Sequence, residues 1–135
     1  MKKFVSLLMI TCMVMIPTMV SHAQSTSFNY SDVARGSAKQ TSVIQKEGWA
    51  SAKIYVGSLG GSEWIYRVRL KSTGGKFVTE QLRRPSTEQK DYYLPYNNDG
   101  NGETLGRDGY KYCLNCAHYS QAPLEKAGTS GTFTP

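Results

Sequence analysis

The stretch Trp64-Ile65-Tyr66-Arg67-Val68-Arg69-Leu70 alternates between two kinds of side chain along its whole length. An alternation with a period of two is typical of a β-strand that buries one face. The face expected to be buried consists of Trp64, Tyr66, Val68 and Leu70, and the opposite face of Ile65, Arg67, Arg69 and Lys71. The stretch therefore predicts a strand with an aromatic inner face and a cationic outer face.

The segments on either side of this strand show the same kind of pattern. Residues 49–56 alternate, and the glycine-rich residues 57–62 that follow are suited to a turn. Residues 72–75 supply a second glycine turn, and residues 76–82 read as a third strand that Pro85 helps to end, because proline cannot donate to a ladder. Three strands joined by short turns predict an antiparallel meander.

The rest of the chain adds further short strands. Residues 91–96, 110–119 and 129–134 are strand-like, and residues 97–109 are rich in Gly and Asn, which is typical of a loop. No segment has the period and length expected of a helix. The sequence thus predicts an all-β fold, a small antiparallel sandwich or barrel-like domain of about six or seven strands.

The N-terminus has the features of a secretory signal peptide. Lys2 and Lys3 precede an apolar run, and Ser21-His22-Ala23 places small residues at a cleavage site before Gln24. Pro17 interrupts a run that is already too short for a membrane anchor. We therefore expect a signal peptide over residues 1–23, a polar leader with at most one edge strand over 24–45, an antiparallel β domain over 46–135, and a secreted protein.

Composition narrows the possible chemistry. The 135 residues carry a formal net charge of +6, and nine Tyr indicate a core that is weighted toward aromatic side chains. After residue 23 the chain has a single histidine, His118, and no Gly-x-Ser-x-Gly motif. We therefore expect no catalytic residues, no cofactor and no enzymatic activity.

Cys113-Leu114-Asn115-Cys116 is the sharpest local motif, and it leaves three interpretations open. An oxidising compartment favours a Cys113–Cys116 disulfide, but a continuous strand would point residues three apart to opposite faces, so the bond requires a bend. Free or intermolecular thiols are the second interpretation. The third is a metal or redox site that includes His118, for which the motif supplies only three ligands and no following helix.

Residues 97–108 imitate the spacing of a calcium loop. The candidate ligands are Asn97, Asp99, Asn101 and Asp108, with Gly102 in the sixth position. The pattern departs from an EF-hand because Asn stands first, Asp stands in place of the bidentate Glu, and no helices flank the loop. An ordinary polar hairpin loop explains the same residues.

Two surface features suggest binding. Arg67, Arg69 and Lys71 form a cationic stripe that is either a solvated face or a site for an anionic partner, namely a cell-wall polymer, a membrane surface or another envelope protein. Export argues against nucleic acid as the partner. Tyr92, Tyr93 and Tyr96 could stack on sugars or pack at the edge of the core.

The order of these elements, with the closing segment Gly128-Thr129-Ser130-Gly131-Thr132-Phe133, resembles a family of uncharacterised, small, secreted β-rich proteins of Gram-positive bacteria. The chain is also similar to the lactococcin-type secreted bacteriocins. The first resemblance implies a signal peptide and about a hundred residues of strands, without known catalytic residues. Two functions follow as expectations: an exported, non-enzymatic binding protein of the envelope or extracellular space, or a bacteriocin-like antagonist.

Overall fold

The computed structural model describes residues 23–71, 75–84 and 90–135, which form an all-β fold without an α-helix in these ranges. The strands in chain order are β1 (Thr26–Ala34), β2 (Ala38–Gln40), β3 (Ile44–Gln45), β4 (Ala52–Ser58), β5 (Trp64–Leu70), β6 (Lys76–Phe77), β7 (Leu82–Arg84), β8 (Lys90–Leu94), β9 (Lys111–His118) and β10 (Lys126–Thr134). The predicted signal peptide lies outside the described residues except for Ala23, as do most of the turn at 72–75 and residues 85–89.

The strands form two antiparallel sheets that are not closed into a barrel. One sheet has four strands in the order β1-β10-β4-β8. The other has six: β2, β9, β5 and β6 lie in that order, β3 also pairs with β9, and β7 also pairs with β5. The predicted all-β class is confirmed, and the arrangement corresponds to a pair of sheets and not to the barrel-like alternative.

One core joins the two sheets. The predicted inner face of β5 is confirmed, because Trp64, Tyr66 and Val68 are fully buried and Leu70 is nearly so. The ring centroids of Phe28 on β1 and Tyr66 on β5 lie 6.3 Å apart, which brings the sheets into direct contact. The aromatic members of this buried core are Phe28, Trp64, Tyr66, Tyr112 and Phe133.

The predicted meander is wrong, because β4 and β5 belong to different sheets. The connection between them crosses from one sheet to the other through Gly60 and Gly61, which have φ values of 57° and 73°. A Cβ atom on Gly60 would lie 2.6 Å from the carbonyl oxygen of Gly128, so the crossing also depends on close backbone approach. Alternation along each strand says which residues are buried, but it does not say which neighbour the strand pairs with.

The predicted third strand is divided into β6 and β7, both paired with β5. Between them the Thr79 hydroxyl, and not a backbone carbonyl, accepts the hydrogen bond of the Val68 amide at 3.1 Å. Thr79 also forms an isolated bridge with Tyr96. Four residues, 78–81, therefore separate the two short strands that pair with β5.

Residues 24–45, expected to hold at most one edge strand, contain β1, β2 and β3. Nine-residue β1 buries Phe28 and Val33, whose spacing is odd because the register with β10 shifts between Tyr30 and Val33. Asp32 lies in this irregularity with a φ of 52°. The irregularity breaks the period of two, which is why the sequence pattern did not reveal this strand.

Candidate cationic face

The three predicted cations lie together at the outer side of β5. Arg67 and Arg69 alternate with the buried residues of this strand and are half-buried, and Lys71 follows its end and is exposed. We call the surface formed by Arg67, Arg69 and Lys71 the cationic face. The sequence pattern placed Arg67 and Arg69 on the same side correctly, because side chains two apart on a strand share one side.

An aromatic ring that the sequence did not single out organises this face. Phe77 of β6 is the register partner of Arg69. The guanidinium carbon of Arg67 lies 4.0 Å from the centroid of the Phe77 ring, and that of Arg69 lies 4.8 Å from it. Both distances are within the range of a cation–π interaction, so one ring holds two cations side by side.

The cations of this face have few partners within the protein. Arg69 donates through Nε to the carbonyl of Gly75 at 2.5 Å, whereas the buried Nε of Arg67 has no hydrogen-bond partner among the described residues. None of the three cations forms an ion pair with a described carboxylate. Their charges are therefore available to an external anion.

Charge is distributed unequally between the two sheets. The strands of the six-stranded sheet contain no Asp or Glu, and their cations are Lys39, Arg67, Arg69, Lys76, Arg83, Arg84 and Lys111. The strands of the four-stranded sheet contain Lys53, Lys90 and Lys126 together with Asp32 and Asp91. There, Lys53 and Asp91 form a salt bridge of 3.0 Å. The positive charge is thus concentrated in the strands of one sheet.

The neighbouring arginines of β7 are engaged in contacts inside the protein. Arg83 forms an ion pair with Glu63, and its guanidinium carbon lies 4.0 Å from the centroid of the Tyr119 ring. The guanidinium carbon of Arg84 lies 4.3 Å from the centroid of the Tyr92 ring. These two arginines add positive charge to the sheet. They contact the rings of Tyr119 and Tyr92, whereas Arg67 and Arg69 contact the ring of Phe77.

The predicted disulfide between Cys113 and Cys116 is wrong, because both cysteines are free and buried. The register of β9 with β5 is regular through this segment, pairing Cys113 with Arg69 and Cys116 with Tyr66. The two thiols consequently point to opposite sides of the sheet, as residues three apart on a continuous strand must. The bend that a disulfide requires is not present.

Burial also governs the acidity of the two thiols. It raises the pKa of Cys116, with a smaller contribution from the nearby Cys113. It raises the pKa of Cys113 as well, although Lys71 and Arg69 act in the opposite direction. Neither cysteine has the exposed, acidic character of a reactive thiol.

His118 lies in a buried network of hydrogen bonds. Its Nδ1 lies 2.9 Å from the carbonyl oxygen of Val33, which can only accept, so this nitrogen carries the proton. In the neutral imidazole, Nε2 then accepts from the Ser62 hydroxyl at 2.7 Å. Ser62 is fully buried and His118 is 1% exposed, so a substrate cannot reach this Ser–His pair. Both nitrogens are occupied, which excludes His118 as a metal ligand in this arrangement.

The calcium-loop residues do not converge on one point. Asp99 Oδ1 accepts the backbone N–H groups of Asn101 and Glu103, at 2.8 and 3.0 Å, and its Oδ2 pairs with Arg107 at 3.0 Å. Asp108 Oδ1 instead accepts the backbone N–H of Gly48 at 2.8 Å. The described residues contain no group of three or more His, Cys, Asp or Glu that could hold a metal ion. The Asp99 carboxylate closes a polar hairpin, and the Asp108 carboxylate ties the end of the loop to Gly48.

Of the two interpretations of Tyr92, Tyr93 and Tyr96, the sugar-stacking platform is not formed, since the three side chains have different surroundings, and Tyr92 and Tyr96 pack against the core. Tyr93 is 66% exposed, whereas Tyr92 is half-buried beneath Arg84. Tyr96 packs against the core, and the Nζ of Lys46 lies 4.9 Å from the centroid of its ring. Adjacent residues on a strand point to opposite sides, which separates Tyr92 from Tyr93.

Comparisons with known protein families, with curated proteins and with solved structures found no match to this chain. Within the described ranges, no helix is long and apolar enough to cross a membrane. The geometry of the cationic face is therefore the basis for a functional proposal.

Proposed function

We propose that the protein is an exported, non-enzymatic binding protein of the cell envelope or extracellular space, and that its cationic face holds an anionic cell-wall polymer. The observation that carries this proposal is the segregation of charge between the sheets. Seven Lys and Arg residues lie in strands that contain no carboxylate, and Arg67, Arg69 and Lys71 have no ion-pair partner among the described residues.

A polymer suits this face better than a small anion. An exposed ion pair contributes only about 0–1 kcal/mol, so a single charge on a small ligand would bind weakly. A chain with many charges makes several such contacts at once, and each further contact is intramolecular after the first. The summed potential of the sheet also attracts a polyanion from a distance, to an extent that salt reduces.

Export is the second part of the proposal and is supported by Lys2, Lys3 and the Ser21-His22-Ala23 sequence. We expect the protein recovered from the culture medium or the wall fraction of a producing bacterium to begin at Gln24. N-terminal sequencing measures this directly. A full-length chain retained inside the cell would contradict export while leaving the binding test below unaffected.

The binding test compares two triple variants with the same loss of charge. Arg67, Arg69 and Lys71 are replaced by Gln in the first variant, and Lys53, Lys90 and Lys126 of the other sheet in the second. We expect the first variant to lose cosedimentation with purified cell walls and the second to retain it. Binding of the parent should weaken as salt is raised, because the screening length falls to about 3 Å near 1 M.

Equal cosedimentation of the two variants would contradict the proposal, since it would show that net charge and not this face is responsible. Anionic phospholipid vesicles are tested in parallel. Binding to vesicles without binding to walls would assign the face to a membrane surface. Circular dichroism of each variant confirms that the strands remain folded.

A further inference from the structure

We propose that Arg67, Phe77 and Arg69 form a recognition site for phosphodiester groups, so that the partner of the cationic face is a polymer with phosphodiesters in its backbone. This inference rests on the proposed function and makes it more specific. Positive charge alone would attract any polyanion. The arrangement of the two arginines around one ring adds a preference among polyanions.

The first step of the argument is the way in which the ring holds the arginines. The guanidinium carbons lie 4.0 and 4.8 Å from the centroid of Phe77, so both groups are in contact with the same ring. A stacked guanidinium uses its planar face and leaves the N–H donors at its edge free. Contact with the ring therefore restricts the conformations of both side chains before a ligand arrives and reduces the entropy that binding costs.

The second step is the number of donors that remain available. The Arg67 side chain makes no hydrogen bond or ion pair with a described residue, and the Arg69 side chain uses only its Nε, toward the carbonyl of Gly75. The terminal nitrogens of both arginines are thus free to donate. Two N–H groups at one edge of a guanidinium group can donate parallel hydrogen bonds to the two unesterified oxygens of a phosphodiester.

The third step is the spacing of the two groups. Arg67 and Arg69 are two residues apart on β5, which separates their Cα atoms by about 6.6 Å. In a phosphodiester polymer with a short carbon linker, successive charges lie in the backbone itself. The half-buried Phe77 ring offers an apolar surface beside both guanidiniums for the carbon atoms of such a linker. A polymer with pendant carboxylates holds its charges at the ends of flexible side chains, so placing two of them against both guanidiniums costs more conformational entropy.

Lys71 provides an internal contrast. It is exposed, lies beyond the end of β5, and makes no contact with an aromatic ring of the described residues. Its ammonium group acts as a point charge without a fixed direction. Lys71 should therefore strengthen binding to any polyanion by a similar factor and should not discriminate among them.

The experiment separates charge from geometry by preserving one while changing the other. The variant Arg67→Lys/Arg69→Lys keeps both charges and removes both planar guanidinium groups. Phe77→Leu keeps all charges and removes the aromatic ring. Lys71→Gln removes one charge and keeps Arg67, Phe77 and Arg69. The probes are synthetic poly(glycerol phosphate) and poly-L-glutamate with equal numbers of charges. Affinity is measured by calorimetry near physiological salt, and circular dichroism checks that each variant is folded.

We expect the parent to bind poly(glycerol phosphate) more tightly than poly-L-glutamate. The double Lys variant should lose about tenfold or more in affinity for poly(glycerol phosphate), since each guanidinium group supplies charge-assisted hydrogen bonds. Its affinity for poly-L-glutamate should fall by a smaller factor, because a carboxylate also accepts from a guanidinium edge but its flexible side chain must be ordered to do so. Phe77→Leu should reduce the preference in the same direction. Lys71→Gln should weaken binding of both polymers by a similar factor.

Two results would overturn this inference and leave the proposed function standing: equal affinity of the parent for both polymers, or unchanged affinity of the double Lys variant for poly(glycerol phosphate). Failure of the parent to bind either polymer would instead overturn the proposed function. Vesicles of phosphatidylglycerol present the same phosphodiester on a lipid surface. Binding to these vesicles without binding to the soluble polymer would overturn the assignment to a polymer.

Discussion

Trp64 of β5 and His118 of β9 are register partners, and their rings stack with centroids 5.1 Å apart. The same imidazole is hydrogen-bonded to Ser62 and to the carbonyl of Val33 on β1. The His118 side chain therefore links β5 and β9 of the six-stranded sheet to β1, the edge strand of the other sheet. The only histidine after residue 23 thus has a structural place in the fold.

Ser62→Ala should destabilise the protein by about 1–3 kcal/mol, because it leaves the buried Nε2 of His118 without a hydrogen-bond partner. The free energy of unfolding is measured by urea denaturation. Ser51→Ala, at an exposed serine before β4, is the matched control and should change stability by less than about 0.5 kcal/mol. Equal stability of the two variants would show that the Ser62–His118 hydrogen bond contributes nothing.

Cys113 and Cys116 should be found as two free thiols in the folded protein that begins at Gln24, which lacks Cys12. The intact mass is expected to equal that of the reduced chain. Both thiols should react slowly with a disulfide reagent near pH 8, because burial excludes the reagent and raises the pKa of both groups. Addition of guanidinium chloride should release two reactive thiols per molecule. A mass lower by about 2 Da would instead indicate a Cys113–Cys116 bond and a bent β9.

Alkaline pH should unfold the protein through its buried tyrosines. Burial raises the pKa of Tyr30 to about 12, from 10.0 in an exposed chain, and raises the pKa values of Tyr66 and Tyr96 as well. The unfolded state therefore loses these protons first, so the stabilisation is complete below pH 10 and is lost as the pH rises through the folded-state values.

Spectrophotometric titration near 295 nm checks this expectation alongside circular dichroism. Some of the nine tyrosines should ionise only as the strands are lost. Ionisation of every tyrosine near pH 10 with the circular dichroism unchanged would contradict the burial of these three rings.

Asp99→Ala should destabilise the hairpin formed by residues 97–109, since its carboxylate accepts two backbone N–H groups and pairs with Arg107. The backbone hydrogen bonds from Asn101 and Glu103, with Arg107, lower the pKa of Asp99. This contribution to stability is therefore present above the unfolded pKa of about 3.8 and is lost as the pH falls through the lower folded value.

Thermal unfolding at pH 7 and pH 3 should show a gap between parent and Asp99→Ala that narrows at the lower pH. Asn101→Ala is the control, because Asn101 contributes its backbone N–H to this hydrogen bond. Millimolar calcium should leave the unfolding midpoint of the parent unchanged. A rise in that midpoint with calcium would contradict the assignment of these carboxylates to the hairpin.

The sequence by itself determined the local features of β5 and of the cationic face. The bounds of β5, the burial of Trp64 and the shared side of Arg67 and Arg69 all follow from side-chain alternation. Alternation is a property of the strand backbone and needs no knowledge of distant residues. Elements with an unbroken period of two were therefore found, whereas β1 was missed because its bulge interrupts that period.

The tertiary structure decided which strands are neighbours, and several features of the site follow from that choice alone. Pairing of β6 with β5 places Phe77 against Arg67 and Arg69, and a regular register between β9 and β5 keeps Cys113 and Cys116 on opposite sides. The crossing between β4 and β5 separates the charged sheet from the nearly neutral one. Strand pairing depends on contacts between residues far apart in the chain, and local periodicity carries no information about those contacts.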